Sequence, residues 1–194
     1  VNPLLNREIT YESSLERDLA YILLAHPDVA DVQDQVPIDY YDNGVKRKHT
    51  IDFVATLKNG TKTAFFVKPA KRVQSSGIEE TVELIREQAP KDFADHYEIR
   101  TGEHITRIRA ENARLIHRAR RTRCEEDIAI IAKVAANLCG TVTIQTLLAA
   151  SLNSGNGFYA VVCLIDDRIL DHVGPGLITY SSLVRPHRTS ETQS

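Results

Sequence analysis

No apolar stretch in these 194 residues approaches the roughly 20 that cross a bilayer. Cysteine is scarce as well. Cys124, Cys139 and Cys163 lie 15 and 24 residues apart, with no Cys-x-x-Cys and no histidine at finger spacing. That excludes a zinc-finger pattern and a disulfide framework, and buried thiols are the expectation for all three. The first 30 residues lack the basic start and apolar middle of a signal peptide, and carry Glu8, Glu12, Glu16, Asp18 and Asp28 instead. A cytoplasmic protein, not held in a membrane, is expected. With 42% apolar and 26% charged residues, the chain is neither disordered throughout nor collagen-like. Its length suits one ordinary domain and a small second one.

The net charge of -2 hides a strong segregation. Residues 1–45 hold nine acids against Arg7 and Arg17, whereas residues 107–123 hold Arg107, Arg109, Arg114, Arg118, Arg120, Arg121 and Arg123 against Glu111 alone. Two smaller basic groups, Lys46-Arg47-Lys48 and Lys68, Lys71, Arg72, flank strand-like runs. Clusters of this kind suit a face that meets a phosphate backbone. They equally suit a solvated arginine-rich helix paired with the acidic first third.

Along the chain, Ser13 and Ser14 can cap a helix in which Leu15, Leu19, Ile22 and Leu23 form one apolar stripe, with Glu16 at its margin. Val29–Val36 reads as an extended connector and Pro37–Tyr41 as an edge strand. His49–Leu57 and Thr61–Lys68 are strands joined at Lys58-Asn59-Gly60. If that loop had two residues, Asp52 would stand opposite Val67; one residue more would let Asp52 and Lys68 share a site. A helix over 78–88 and a short strand at 97–100 follow, which makes a mixed sheet with helices against it the economical architecture. After a basic helical bridge at 107–121, helices are expected at 125–138, from 141 to about 152 and at 158–164. Two strands over 168–180 then surround Gly174-Pro175-Gly176. Three short helices and a hairpin give the order of a winged helix. The boundaries drawn are 1–123, 124–186 and a frayed tail at 187–194.

Three charges stand where charge is costly unless used: Glu16 near an apolar stripe, Asp52 inside an apolar strand and Lys68 at the end of the next strand. Two converging carboxylates can hold a divalent cation that orients water against a phosphate, and a lysine beside them can stabilise developing negative charge. Each residue also has a structural reading, as a helix-surface acid, a satisfied strand acid and a strand-end cation.

These residues carry a resemblance. Glu16, Ile51-Asp52-Phe53 and Val67-Lys68-Pro69 stand where the restriction-endonuclease-like fold has its glutamate, its aspartate and its (Asp/Glu/Gln)-x-Lys. Tyr11-Glu-Ser-Ser-Leu-Glu-Arg-Asp18, Val32-Gln-Asp-Gln-Val36, Thr50-Ile-Asp-Phe53 and Val67-Lys-Pro69 most resemble the TnsA-type transposon endonucleases. The resemblance extends over roughly residues 10–103. It implies a restriction-endonuclease-like mixed sheet flanked by helices and followed by a small winged-helix-like α+β domain. It also implies Mg²⁺ or Mn²⁺, double-stranded DNA as partner and a separate transposase alongside.

The departure is Phe66, which stands where the family has Glu or Gln and offers no oxygen to a metal. Glu83 or Glu80, on the following helix, is the expected substitute, so the expected metal set is Glu16, Asp52 and Glu83 with Lys68 beside it. Lys46, Arg47, Lys48, Lys71, Arg72, Arg107, Arg114, Arg118 and Arg121 are the expected DNA contacts. The helix at 157–164 would be the recognition helix of a winged helix, yet it has no lysine or arginine. Three functions stay open: a metal-dependent endonuclease, a degenerate nuclease fold that binds DNA or assembles complexes, and an interaction subunit without DNA.

Overall fold

The computed structural model describes residues 8–151 and 157–187, and the chain divides into two compact units at Ala110/Glu111. The expected tail at 187–194 lies outside the described residues except for His187, and so does most of the Asn153–Gly157 turn.

The first unit opens with α1, Ser14–Ala25, capped by Ser13. Two long strands follow, β1 at Val29–Asp42 and β2 at Val45–Leu57. The expected connector and edge strand are thus one continuous strand. Pro37 is tolerated because β1 pairs on one side only, with β2. The turn between β1 and β2 is Asn43-Gly44, both with positive φ (49° and 77°), the two-residue geometry whose twist matches flanking strands.

Strand β3, Lys62–Val67, runs antiparallel to β2, while β4, His96–Arg100, lies parallel to β3 across the helix α2, Ile78–Gln88. The sheet order is β1-β2-β3-β4. Alternation along β3 separates two cores. Phe65 and Val67 join Leu19, Leu23, Val32 and Phe53 under α1, whereas Ala64 and Phe66 join Ile38, Ile51, Ile78, Val82 and Ile85 under α2. The result is a four-stranded mixed sheet between helices.

Helix α3, Arg107–Arg121, begins in this unit. Its later residues Leu115, Ile116 and Ala119 pack in the core of the second unit, which is why the compact units part well before Arg123.

The second unit continues with α4 (Glu125–Ala135), β5 (Val142–Thr143), α5 (Ile144–Ala150), α6 (Gly157–Asp166), β6 (Leu170–Val173) and β7 (Leu183–Pro186). Its sheet has the order β5-β7-β6. The helix expected from residue 141 starts at Ile144, because Thr143 is spent as its N-cap, accepting from the Thr146 N–H. The second strand expected before Tyr180 starts only at Leu183. Between them the loop is held by hydroxyls and by α3. The Ser182 hydroxyl accepts from the Thr179 N–H at 2.9 Å and donates to the Leu177 carbonyl at 2.8 Å. The Asn112 side chain donates to the Gly176 carbonyl and accepts from the Ile178 N–H.

Of the thiols, Cys163 is buried as expected, but Cys124 is half-buried and Cys139 exposed. Among the described residues no helix is long and apolar enough to cross a membrane.

Candidate functional site

The hairpin register decides what meets at the end of β3. Thr56 pairs with Lys62, and the Leu57 N–H donates to the Thr61 carbonyl at 2.8 Å, leaving the three-residue loop Lys58-Asn59-Gly60 with Gly60 at φ 90°. Only glycine takes that backbone without strain. The β2–β3 ladder ends at the Phe53–Phe65 pair, so Asp52 lies one residue beyond it, where Ile51 and Phe53 already belong to different cores. On the other side of β2 the ladder passes from Asp34–Phe53 to Val36–Ile51, and between them Gln35 takes a positive φ of 52°.

Asp52 is half-buried, and its Oδ2 accepts the Val67 N–H at 2.7 Å. Burial pushes its pKa up to about 6; the Val67 N–H and the Lys68 ammonium pull it down, while Glu16 and then Glu12 push it further up. Glu16 and Lys68 therefore each act electrostatically on Asp52, with opposite sign. Lys68 also helps lower the pKa of His49, after burial as the main cause.

Glu16 has a second occupation. Only 7% exposed, it accepts the Glu12 N–H on Oε2 and the Ser13 hydroxyl on Oε1, both at 2.7 Å, while the Ser13 hydroxyl accepts the Glu16 N–H. This is a variant of the capping box, with serine three residues before glutamate, in which Glu16 takes the N–H of Glu12, the residue before the cap, instead of the Ser13 N–H. Its carboxylate is thereby fixed at the N-terminal end of α1.

Phe66 is fully buried in the core under α2, with the His49 ring 5.5 Å away. Glu83 does not join Glu16 and Asp52. It is exposed on α2 and paired with Arg86, while the buried face of that helix is Ile78, Val82 and Ile85. Glu80 is exposed too. Helical periodicity explains this, since positions 80 and 83 fall away from the stripe that contacts the sheet.

A hard divalent cation takes about six oxygen ligands. Here both Glu16 oxygens hold α1, one Asp52 oxygen holds Val67, and Phe66 contributes hydrocarbon. Among the described residues no three acids, histidines or cysteines gather into a ligand set. The side chains present do not fit the Mg²⁺ or Mn²⁺ site that the resemblance implies.

The expected DNA-binding cations fall into two groups. Lys46 pairs with Asp39 at 2.9 Å, Arg47 lies 4.0 Å from Asp42 and Arg114 pairs with Glu111. Lys48, Lys71, Arg72, Arg107, Arg118 and Arg121 are exposed. Two other arginines of the basic bridge are tied down within the second unit. Arg120 makes two bonds of 2.7 Å to Asp166, and Arg123 grips Asp167 and Glu125.

Glu12, Gln35 and His49 surround the site without having been singled out in the sequence. For Gln35 and His49, the signal was Asn43-Gly44, which sets the long hairpin and hence which residues flank Asp52. No protein-family model matches this chain, and no curated protein matches it either.

Proposed function

We propose that this chain is a DNA-binding protein on a TnsA-type, restriction-endonuclease-like fold with a winged-helix-like second domain. It works beside the transposase of a mobile element, and its nuclease centre has lost metal-dependent hydrolysis. One observation carries the reading: Asp52, just past the β2–β3 ladder, feels the charges of both Glu16 and Lys68, while the position that the resemblance gives to a further ligand is the buried Phe66. Convergence of two acids and a lysine is costly and supports descent from a phosphoryl-transfer centre. The buried phenyl ring supports loss of the reaction, since it offers no oxygen and is committed to the α2 core.

The second unit adds to this. The chain order α4, β5, α5, α6, β6, β7, with β7 central in the sheet, supports the winged-helix reading. Helix α6, in the recognition-helix position, carries no cation and is mostly buried. This favours docking on a partner protein for the second unit and leaves phosphate contacts to cations elsewhere.

Incubation of the purified chain with supercoiled plasmid and Mn²⁺ tests the reading. Salt-sensitive retention with intact plasmid is expected, the same for wild type and Asp52→Asn. Nicking that disappears in Asp52→Asn would overturn the loss of hydrolysis. Absence of retention at any salt concentration would overturn the DNA reading.

A further inference from the structure

Strand β3 covers β2 only from Phe53 to Thr56. Beyond that point, residues 36–42 of β1 and 45–51 of β2 pair with each other alone, a two-stranded ribbon closed by Asn43-Gly44. Directly paired residues share a face. One face holds Ile38, Tyr40, Arg47 and His49, and Ile38 and Tyr40 pack into the core under α2. The opposite face holds Tyr41 beside Lys46 and Asp39 beside Lys48, and none of these belongs to a core cluster.

That open face is polarised. Asp39 bonds Lys46 and is also stabilised as the anion by Lys48, so two ammonium groups share one carboxylate and a positive charge is left over. Lys48 has no ion pair among the described residues, and Tyr41 is 56% exposed. The ribbon is also braced. The Gln88 side chain accepts the Tyr41 N–H at 2.8 Å and donates to the Tyr41 carbonyl at 2.9 Å, as a neighbouring strand would. Two bonds from the last residue of α2 thus order the outer edge of an arm that, among the described residues, no other strand supports.

We propose that this arm is the surface by which the chain grips duplex DNA, with Lys46 and Lys48 on phosphates and Tyr41 between them; this rests on the DNA-binding reading above. Two strands lie about 4.8 Å apart, so the open face of this ribbon, backed by α2, is narrow enough to lie along a major groove about 12 Å wide. Lysine on such an arm acts through phosphate neutralisation and counterion release, which has a defined salt signature.

The test is the affinity of the full chain for a mixed-sequence duplex as a function of salt. In the variant Lys46→Ala/Lys48→Ala, the slope of log affinity against log salt should flatten by about 1.8, and binding at 0.1 M salt should fall by one to two orders of magnitude. Gln88→Ala should weaken binding with the slope unchanged, because it loosens the arm without removing a phosphate contact. Lys133→Ala, an exposed cation on α4, should behave as wild type. Unchanged affinity and slope in the double lysine variant, with wild type binding normally, would overturn the arm and leave the DNA reading standing. Wild-type chain that fails to bind duplex would overturn both.

Discussion

The Asp52 carboxylate takes the Val67 amide N–H at 2.7 Å, with Asp52 one residue and Val67 two residues past the last β2–β3 pair, Phe53–Phe65. It therefore closes a ladder as well as carrying charge. Asp52→Ala leaves that N–H without its acceptor and should cost about 1–3 kcal/mol. Asp52→Asn keeps an acceptor and removes a poorly solvated charge, so its stability should equal or exceed that of wild type at pH 7. Denaturant unfolding of the two variants separates these roles.

The same group makes a pH prediction. Folding raises the Asp52 pKa from 3.8 to about 6, so the folded state holds the proton more tightly. Stability from this group is full below pH 3.8 and is lost as pH rises through 6. Unfolding free energy measured from pH 4 to 7 should lose on the order of 1–2 kcal/mol from this source, a decline absent in Asp52→Asn.

Glu16 separates charge from cap. Glu16→Gln keeps a capping side chain but removes one of the charges that push Asp52 up, so the Asp52 titration followed by NMR should move toward 3.8 at little cost in stability. Glu16→Ala should also lower that pKa, and should destabilise by about 1 kcal/mol through the lost cap. Equal destabilisation by both variants would remove the capping role.

The elements carried by periodicity were legible in the sequence. Helices α1 and α2 and the bridge α3 lie close to where apolar spacing and caps put them. The long β1–β2 hairpin was not, because Asp31, Asp34 and Pro37 break the alternation that marks a half-buried strand. Only Asn43-Gly44 announces it. The identical dipeptide Asn59-Gly60 closes a three-residue loop instead, since pairing of Thr56 with Lys62 is set by the two cores and not by the turn. Asp52, Glu16 and Lys68 could be proposed from residue type. That Glu16 and Lys68 both act on Asp52 was not legible without the register, and the exposure of Glu83 depended on which face of α2 the sheet covers.

The arginines of the basic bridge should divide by partner. Arg120, bound twice by an Asp166 side chain only 9% exposed, should cost about 1–3 kcal/mol when changed to alanine. Arg118→Ala and Arg121→Ala should stay within about 0.5 kcal/mol of wild type in thermal unfolding. If these exposed arginines also touch DNA, each should remove about 0.9 from the salt slope, an effect readable in stably folded protein.

Phe66 carries the cost of any return to a three-acid centre. Removing the ring with Phe66→Ala should cost about 3–5 kcal/mol, as for other fully buried aromatics. Phe66→Glu should be at least as destabilising at neutral pH, because the new carboxylate would enter the α2 core without a partner. Chemical denaturation of the two variants orders them.

The most direct measurement of the central claim is wild-type affinity for a mixed-sequence duplex, taken across a salt series in the presence of a chelator and again with Mn²⁺. The account predicts a linear fall of log affinity with log salt that is the same under both conditions and in Asp52→Asn. Binding that requires Mn²⁺ and is lost in Asp52→Asn would contradict it, because Asp52 and its neighbours would then hold a metal without a full set of protein ligands.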